Sequence, residues 1–204
     1  ADLPRAFDGL RLAASEVGGI QVQNAGTIAG NLCNASPAAD GIPPLLTLDA
    51  SVELTSQGGR RVVPLPTFLT GYRQTDLRSD ELVTAVMVPR DVEGAFSDFQ
   101  KLGSRSYLVI SIVMVATVIA TAPDGTIAEA RIAVGACSPV ARRLTQLEFE
   151  LRGVHKSDRL QDLPTTDHLT DLAPIDDVRA TAAYRLDATL ALIRRSLRRF
   201  AESV

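Results

Sequence analysis

Residues 23–40 read QNAGTIAGNLCNASPAAD, and no other stretch of this 204-residue chain constrains it as much. Amide side chains (Gln23, Asn24, Asn31, Asn34), two hydroxyls (Thr27, Ser36) and one carboxylate (Asp40) are set among alanine and glycine, with little bulk until Ile42. Such a segment cannot build a core by itself, but it lets backbone approach a large, flat, phosphorylated ligand. Gly30 has no Cβ, so N–H groups can come close there. Thr27, Asn31, Asn34 and Ser36 add side-chain donors. Ser36-Pro37 reads as an N-cap followed by proline at the first helical position. The positive end of that short helix, stopped by Pro43-Pro44, would favour a phosphate. A carboxylate repels phosphate, so Asp40 is expected to face hydroxyls, as of a sugar or sugar alcohol. Neither the G-x-G-x-x-G nor the G-x-x-x-x-G-K-[ST] pattern is present. On these residues alone, a loop satisfied by its own polar side chains stands level with a phosphate cradle.

Upstream, Ala6, Phe7, Leu10, Ala13, Ala14 and Val17 fall on one face of a helix over 4–17, which Gly18-Gly19 stops. Ile20 to Gln23 reads as a short extended piece. Downstream, 51–56 and 60–64 flank Gln57-Gly58-Gly59 as a hairpin, 65–72 reads as a helical turn, and 82–88 as a strand ended by Pro89. A second lobe is expected from about Asp91–Glu93. Phe96 to Leu102 is a candidate strand. Residues 107–122 and 126–135 flank Pro123-Asp124-Gly125 as a long β-branched hairpin, apolar enough to be buried on both faces against helices. Two helices are available. Thr145 to Arg152 is the first, with Gly153 as its cap. Asp176 to Ser203 is the second, with Val178, Ala182, Leu186, Leu190, Ile193, Leu197 and Phe200 as its inward face. Its acidic start and its Arg194, Arg195, Arg198 and Arg199 end match the helix dipole. Residues 157–174 read as an irregular connection.

Composition narrows the function classes. A net charge of -3 and the absence of tryptophan argue against nucleic acid and against an anionic membrane surface. Cys33 and Cys137 form no C-x-x-C pattern, so neither a disulfide framework nor a zinc site is expected. His155 and His168 are too few for a histidine metal centre, and structural roles are expected for both. The apolar run 108–122 falls short of the roughly 18–20 residues that span a bilayer and reads as a core strand. The opening, ADLPRAFDGLRLAA, lacks a basic n-region and an apolar h-region, so a cytoplasmic location is expected.

Thr27-Ile28-Ala29-Gly30-Asn31 followed by Ala35-Ser36-Pro37-Ala38-Ala39-Asp40 closely resembles the FAD-binding subunit or domain of the molybdenum hydroxylases, the relatives of xanthine dehydrogenase and aerobic carbon monoxide dehydrogenase. The family pattern is T-I-G-G-N, then A-S-P-x-x-D and a Pro/Leu-rich tail, here Ile42-Pro43-Pro44-Leu45-Leu46. Three further matches follow in order: 68–82 (FLTGYRQTDLRSDEL), 99–105 (FQKLGSR) with Ile110, and Ala183-Tyr184-Arg185.

The resemblance implies an α+β fold. Residues 1–92 would be the second lobe of a PCMH-type FAD-binding domain. Residues 93–204 would be a C-terminal lobe of a small antiparallel sheet packed on helices. It implies FAD as cofactor, with the molybdenum cofactor and [2Fe–2S] clusters in partner subunits. It implies a role in passing electrons from those clusters through FAD to an external acceptor. Thr27, Ile28, Ala29, Gly30 and Asn31 would face the FAD pyrophosphate, and Asp40 the ribityl or ribose hydroxyls. Leu77 would lie near the flavin ring, Lys101 at its edge, Ile110 over one face, and Val17 near the adenine end. Read without the family, Lys101 would be a solvated surface lysine and Leu77 and Ile110 plain core. No residue is expected to act as a catalytic acid or base, and no metal ligand is expected.

Two departures from the pattern stand out. Ala29 replaces a usual glycine and would cost on the order of 1 kcal/mol if that residue needed positive φ. The family's first lobe, with its own Gly-Gly-rich loop, precedes the point where this chain starts, which leaves half of the expected pyrophosphate clamp. A fragment that docks in the assembly without holding flavin is therefore the competing expectation. A self-contained flavin oxidase is disfavoured, since Lys101 is its only candidate base.

Overall fold

The computed structural model describes residues 3–156 and 159–203. A 3-10 turn, Arg5–Phe7, which buries Ala6, leads into α1 (Asp8–Glu16), which buries Gly9 and Ala13. Gly9 is there for proximity: its N–H donates to Ser97 Oγ at 3.0 Å, and a Cβ would stand 2.9 Å from the carbonyl oxygen of Asp98. Gly18, at φ +51°, ends the helix as expected.

The next two segments depart from the sequence reading. Residues 20–23 are not extended but open α2 (Ile20–Ala25). Ile20 and Val22 favour strands, yet among the described residues no strand pairs with this segment. A single helical turn closes instead on its own backbone, through Gln23 N–H to the Gly19 carbonyl and Gly26 N–H to the Val22 carbonyl. No helix starts at Ser36-Pro37, where the chain makes turns; the helix of this segment precedes it, as α3 (Ile28–Asn34), capped by Thr27, whose Oγ1 accepts from Gly30 N–H at 2.9 Å. Ala29 lies inside α3 and the positive φ, +43°, falls on Ala35, so the alanine carries no strain. Pro43 and Pro44 do not stop a helix; they sit in the first turn of α4 (Ile42–Thr47), where a missing N–H costs nothing. Every residue of α4 is buried.

Strands β1 (Ser51–Ser56) and β2 (Gly59–Pro64) form the expected hairpin. After α5 (Leu65–Phe68), β3 (Leu69–Gly71) and β4 (Gln74–Thr75) make a two-stranded ribbon. Strand β5 (Leu82–Met87) pairs antiparallel with β1, giving the order β2-β1-β5. The second sheet is antiparallel, ordered β6 (Phe96–Leu102), β7 (Val113–Thr121), β8 (Ile127–Gly135) and β9 (Arg142–Arg143). β7 starts at Val113 rather than 107, and residues 103–112 form the loop between β6 and β7.

The buried hairpin explains the apolar run. Val113, Val115 and Ile119 face one core with Leu192, Ile193, Leu197 and Phe200. Met114, Ala116 and Val118 face the opposite side, with Ala13, Ala6 and Leu48. Both sheet faces are thus covered: α6 (Thr145–Leu151) and α7 (Ala182–Glu202) on one side, α1 and α4 on the other. Gly153, at φ +78°, follows α6. α7 begins six residues later than the periodicity implies. Asp176 and Asp177 bond the backbone N–H groups of Ala182, Arg179 and Ala180, holding this segment in a turn and leaving Val178 99% exposed. Of the arginines at the other end, Arg194 donates to the Pro164 carbonyl and Arg199 pairs with Asp98. Residues 159–174 are irregular, with 3-10 turns at Leu160–Asp162 and Thr166–Leu169. His168 is structural, its Nε2 2.9 Å from Glu150 Oε2 and its Nδ1 accepting from Thr165 N–H. No helix among the described residues is long and apolar enough to cross a membrane.

Two ion networks fasten the parts. Arg131, on β8 and 2% exposed, reaches Asp91, Glu129 and Asp49 at 2.7, 2.8 and 3.1 Å. Arg143 joins it at Asp49 and also grips Glu148. In the first sheet Arg61 holds Glu81 through two hydrogen bonds and Asp76 through a third. The Arg61 guanidinium, with the Arg78 N–H, draws the Glu81 carboxyl from 4.5 down to about 2. A depressed folded-state value stabilises the fold above the unfolded value, and the gain is lost as pH falls through the folded one. The stability difference between the wild type and Glu81→Gln is therefore expected to be constant at neutral pH. It should shrink from about pH 5 towards pH 2 in urea titrations. A difference independent of pH over that range would exclude the pair as a source of acid lability.

Candidate functional site

Val17, Thr27, Ile28, Gly30, Asn31 and Ile110, among the residues singled out in the sequence, line one or other of two cavities. The first, of about 290 Å³, lies between α1, α2 and α3. Leu10, Ala14 and Val17 form its apolar wall; Thr27, Gly30 and Asn31 form the polar one. Ile28 also lines it, whereas Ala29 is not in the wall. The polar wall is held by its own bonds. Thr27 caps α3, and Asn31 Oδ1 accepts from Gly41 N–H at 3.2 Å. A Cβ on Gly41 would stand 2.8 Å from that oxygen, so a larger residue there would displace the Asn31 amide.

The second cavity, of about 490 Å³, lies where the loop 103–112 meets the turn after α3 and the start of α7. Ser36, Arg73, Ile110, Ser111, Ser138 and Arg185 are among its walls. Ile110 is 54% exposed, so it is not core. Leu77 is half-buried against the core around Leu32 and Phe68 and lines neither cavity.

Between the cavities stands a buried ion pair. Asp40, 7% exposed, receives Lys101 Nζ at 3.0 Å and the Ser111 hydroxyl at 2.9 Å. Lys101 Nζ also donates to the Glu16 carbonyl at the end of α1, and its side chain is only 5% exposed. Lys101 is therefore no solvated surface lysine. Burial pushes the Asp40 carboxyl up, and the Lys101 ammonium and the Ser111 hydroxyl only partly offset it. Gly41, next to Asp40, lines the first cavity, and Ser111, bonded to Asp40, lines the second, so wall residues of both cavities adjoin the pair. The loop 103–112 carries Ser111 onto it. Its Leu108, at φ +52°, lies against Gly19, and its Val109 against Gly103.

Sequence reasoning placed Asp40 and Lys101 at one ligand but did not pair them, since they lie 61 positions apart. It missed Ser111 and gave Arg185 no role. The available signal for Ser111 was a hydroxyl in an apolar run, one of three with Thr117 and Thr121, which must find a partner once buried. Among the described residues no cluster of three side chains could hold a metal ion.

Known proteins share this architecture. Residues 1–91 match the family model described as FAD binding domain in molybdopterin dehydrogenase. Residues 99–200 match the one described as CO dehydrogenase flavoprotein C-terminal domain. The nicotinate dehydrogenase FAD-subunit of Eubacterium barkeri is 42% identical over 104 residues, 50% of this chain and 35% of that protein. The putative xanthine dehydrogenase FAD-binding subunit of Escherichia coli K12 is 31% identical over 183 residues, 89% of this chain and 62% of that protein. Among solved structures, carbon monoxide dehydrogenase from Hydrogenophaga pseudoflava superposes with a TM-score of 0.84 at 27% identity, over 93% of this chain and 65% of that one. Quinoline 2-oxidoreductase from Pseudomonas putida 86 gives 0.85 at 25% identity, over 94% and 66%. The chain thus spans less than two thirds of these two relatives' length. With both models matched in order along an α+β fold, the chain belongs to the family of FAD-binding subunits of the molybdenum hydroxylases.

Proposed function

We propose that this chain holds FAD as the flavin-bearing part of a molybdenum hydroxylase. In that reading it is one subunit of a cytoplasmic heterotrimer, beside a [2Fe–2S] subunit and a molybdenum-cofactor subunit. Bound FAD supplies the redox step, accepting electrons that arrive from the clusters and releasing them to an external acceptor. The observation that carries the reading is the continuity of the site. A cavity walled by Val17, Thr27, Gly30 and Asn31 extends to Gly41, the chain neighbour of a buried carboxylate, Asp40, that already accepts a hydroxyl. That donor set fits a dinucleotide: small residues for close backbone approach, and Asp40 for ribityl or ribose hydroxyls. Lys101 would supply a fixed ammonium at the ring edge, Ile110 an apolar cover, and Leu77 packing near the ring. Each of these groups binds, orients or excludes water, and none must move a proton.

Titration of the whole chain with FAD, read by flavin fluorescence and visible absorbance, tests this. Saturable quenching with a resolved bound-flavin spectrum is expected. Gly30 is exposed on α3, and a Cβ there meets only Thr27 Oγ1 at 3.1 Å. Gly30→Val should therefore fold, yet bind FAD roughly tenfold more weakly, about 1.4 kcal/mol. No bound-flavin spectrum at any FAD concentration would leave only a docking role in the assembly.

A further inference from the structure

Of the Tyr184-Arg185 pair in the last helix, Tyr184 is exposed and Arg185 is buried. It sits one turn into α7 and is 3% exposed. Its Nη1 donates to the Ile112 carbonyl at 2.6 Å and to the Ala136 carbonyl at 3.2 Å. Its Nη2 donates to Asp177 Oδ1 at 2.8 Å. Asp177 is itself fixed: burial pushes its carboxyl up, but the Arg179 and Ala180 N–H groups and both guanidiniums outweigh this and bring it to about 2. Arg185 Nε has no partner among the described residues. Replacing a buried ion pair by apolar side chains of similar size is often neutral for stability, so stability alone does not account for an arginine here.

What the guanidinium touches suggests the reason. Ile112 closes the loop 103–112, its N–H donating to the Leu102 carbonyl at 2.7 Å. Ser111, the preceding residue, bonds Asp40, and Ile110 lines the second cavity. Ala136, at φ +64°, follows β8 and donates its N–H to the Pro37 carbonyl, on the far wall of the same cavity. One side chain thus pins both strand ends that frame the cavity.

We propose that Arg185 is a positioning residue for the flavin site, setting the height of Ile110 and Ser111 against the Asp40–Lys101 pair. The proposal rests on the FAD reading above for its effect on ligand, but not for its effect on the loop.

The test compares Arg185→Met, Arg185→Lys, Ser111→Ala, the Arg185→Met/Ser111→Ala double variant, and Leu197→Ala as a control on the same helix. Amide exchange of 103–112 and FAD affinity are read for each. Arg185→Met is expected to speed exchange in 103–112 and weaken FAD, each roughly tenfold. Arg185→Lys, which keeps the charge but not the fork, should show the same changes at smaller amplitude. The double variant should bind FAD no more weakly than Arg185→Met alone, because both act through one contact. Leu197→Ala should lose as much thermal stability with both readouts unchanged. Additive losses, or exchange in 103–112 no faster than in Leu197→Ala, overturn the proposal. Should the wild type take up no FAD, the reading of function falls, and the exchange comparison alone decides for or against Arg185.

Discussion

Asp40→Ala is expected to destabilise the chain by about 3–5 kcal/mol, because it strands a buried ammonium. Lys101 Nζ would keep only the Glu16 carbonyl, with 5% of its side chain in contact with solvent. The Ser111 hydroxyl would lose its acceptor as well. Lys101→Met should cost less. Burial already pushes the Asp40 carboxyl up from 3.8, so without the lysine it can take a proton and remain buried as a neutral acid. The sign of the pH dependence follows. A carboxyl whose folded-state value is raised favours the fold below that value, so Lys101→Met should lose stability as pH rises through it. The double variant Asp40→Ala/Lys101→Met should recover most of what Asp40→Ala loses. Urea unfolding of the four proteins measures the coupling, and additive losses would mean that the pair does not interact. If Asp40 also holds the ribityl or ribose hydroxyls, FAD binding to Asp40→Ala should weaken by about 1.5–3 kcal/mol beyond any loss of folded protein.

Arg131→Ala is the second large effect, about 3 kcal/mol, and for a different reason. The guanidinium itself is enclosed at 2% exposure, while Asp49, Asp91 and Glu129 are about a third to a half exposed. Removing the arginine lets those carboxylates hydrate but leaves a void and three like charges in one place. Arg131→Met refills most of the void and should cost less than about 1.5 kcal/mol. Added salt should recover part of the Arg131→Ala loss through screening. Equal losses for Ala and Met, insensitive to salt, would shift the account from packing to the specific ion pairs.

How much of this was legible in the sequence depends on the range of the forces at each place. Both long hairpins were readable because Gln57-Gly58-Gly59 and Pro123-Asp124-Gly125 decide their turns locally. Of the inward face of α7, Ile193, Leu197 and Phe200 were readable by period and are buried, but Leu186 and Leu190 are only half-buried, and the buried stripe also runs through Arg185, Thr189, Leu192 and Ser196. The start of α7 was not readable, because Asp176 and Asp177 bond backbone N–H groups ahead of them and delay the helix. The helix at Ile20–Ala25 was hidden by β-branched residues whose strand preference needs a partner strand. The prolines of α4 read as a stop when they are a start. At the site, residue types pointed to Thr27–Asn31 and Asp40. The pairing of Asp40 with Lys101 and Ser111 is a product of topology, which no local pattern contains.

The layering of α1 and α4 on the second sheet bears on how such a gene can change. The two family models meet between residues 91 and 99, but the molecule has no seam there. Helices from the first 47 residues form the back layer of strands that begin at residue 96. Gly9 packs against the strand backbone at Ser97 and Asp98, where a Cβ would not fit, and Pro43 lies where a side chain on Gly135 would go. Exchanging one half with a relative would carry a helix surface away from the sheet it was shaped to. A change in the packed surface of one half is thus expected to need an answering change in the other.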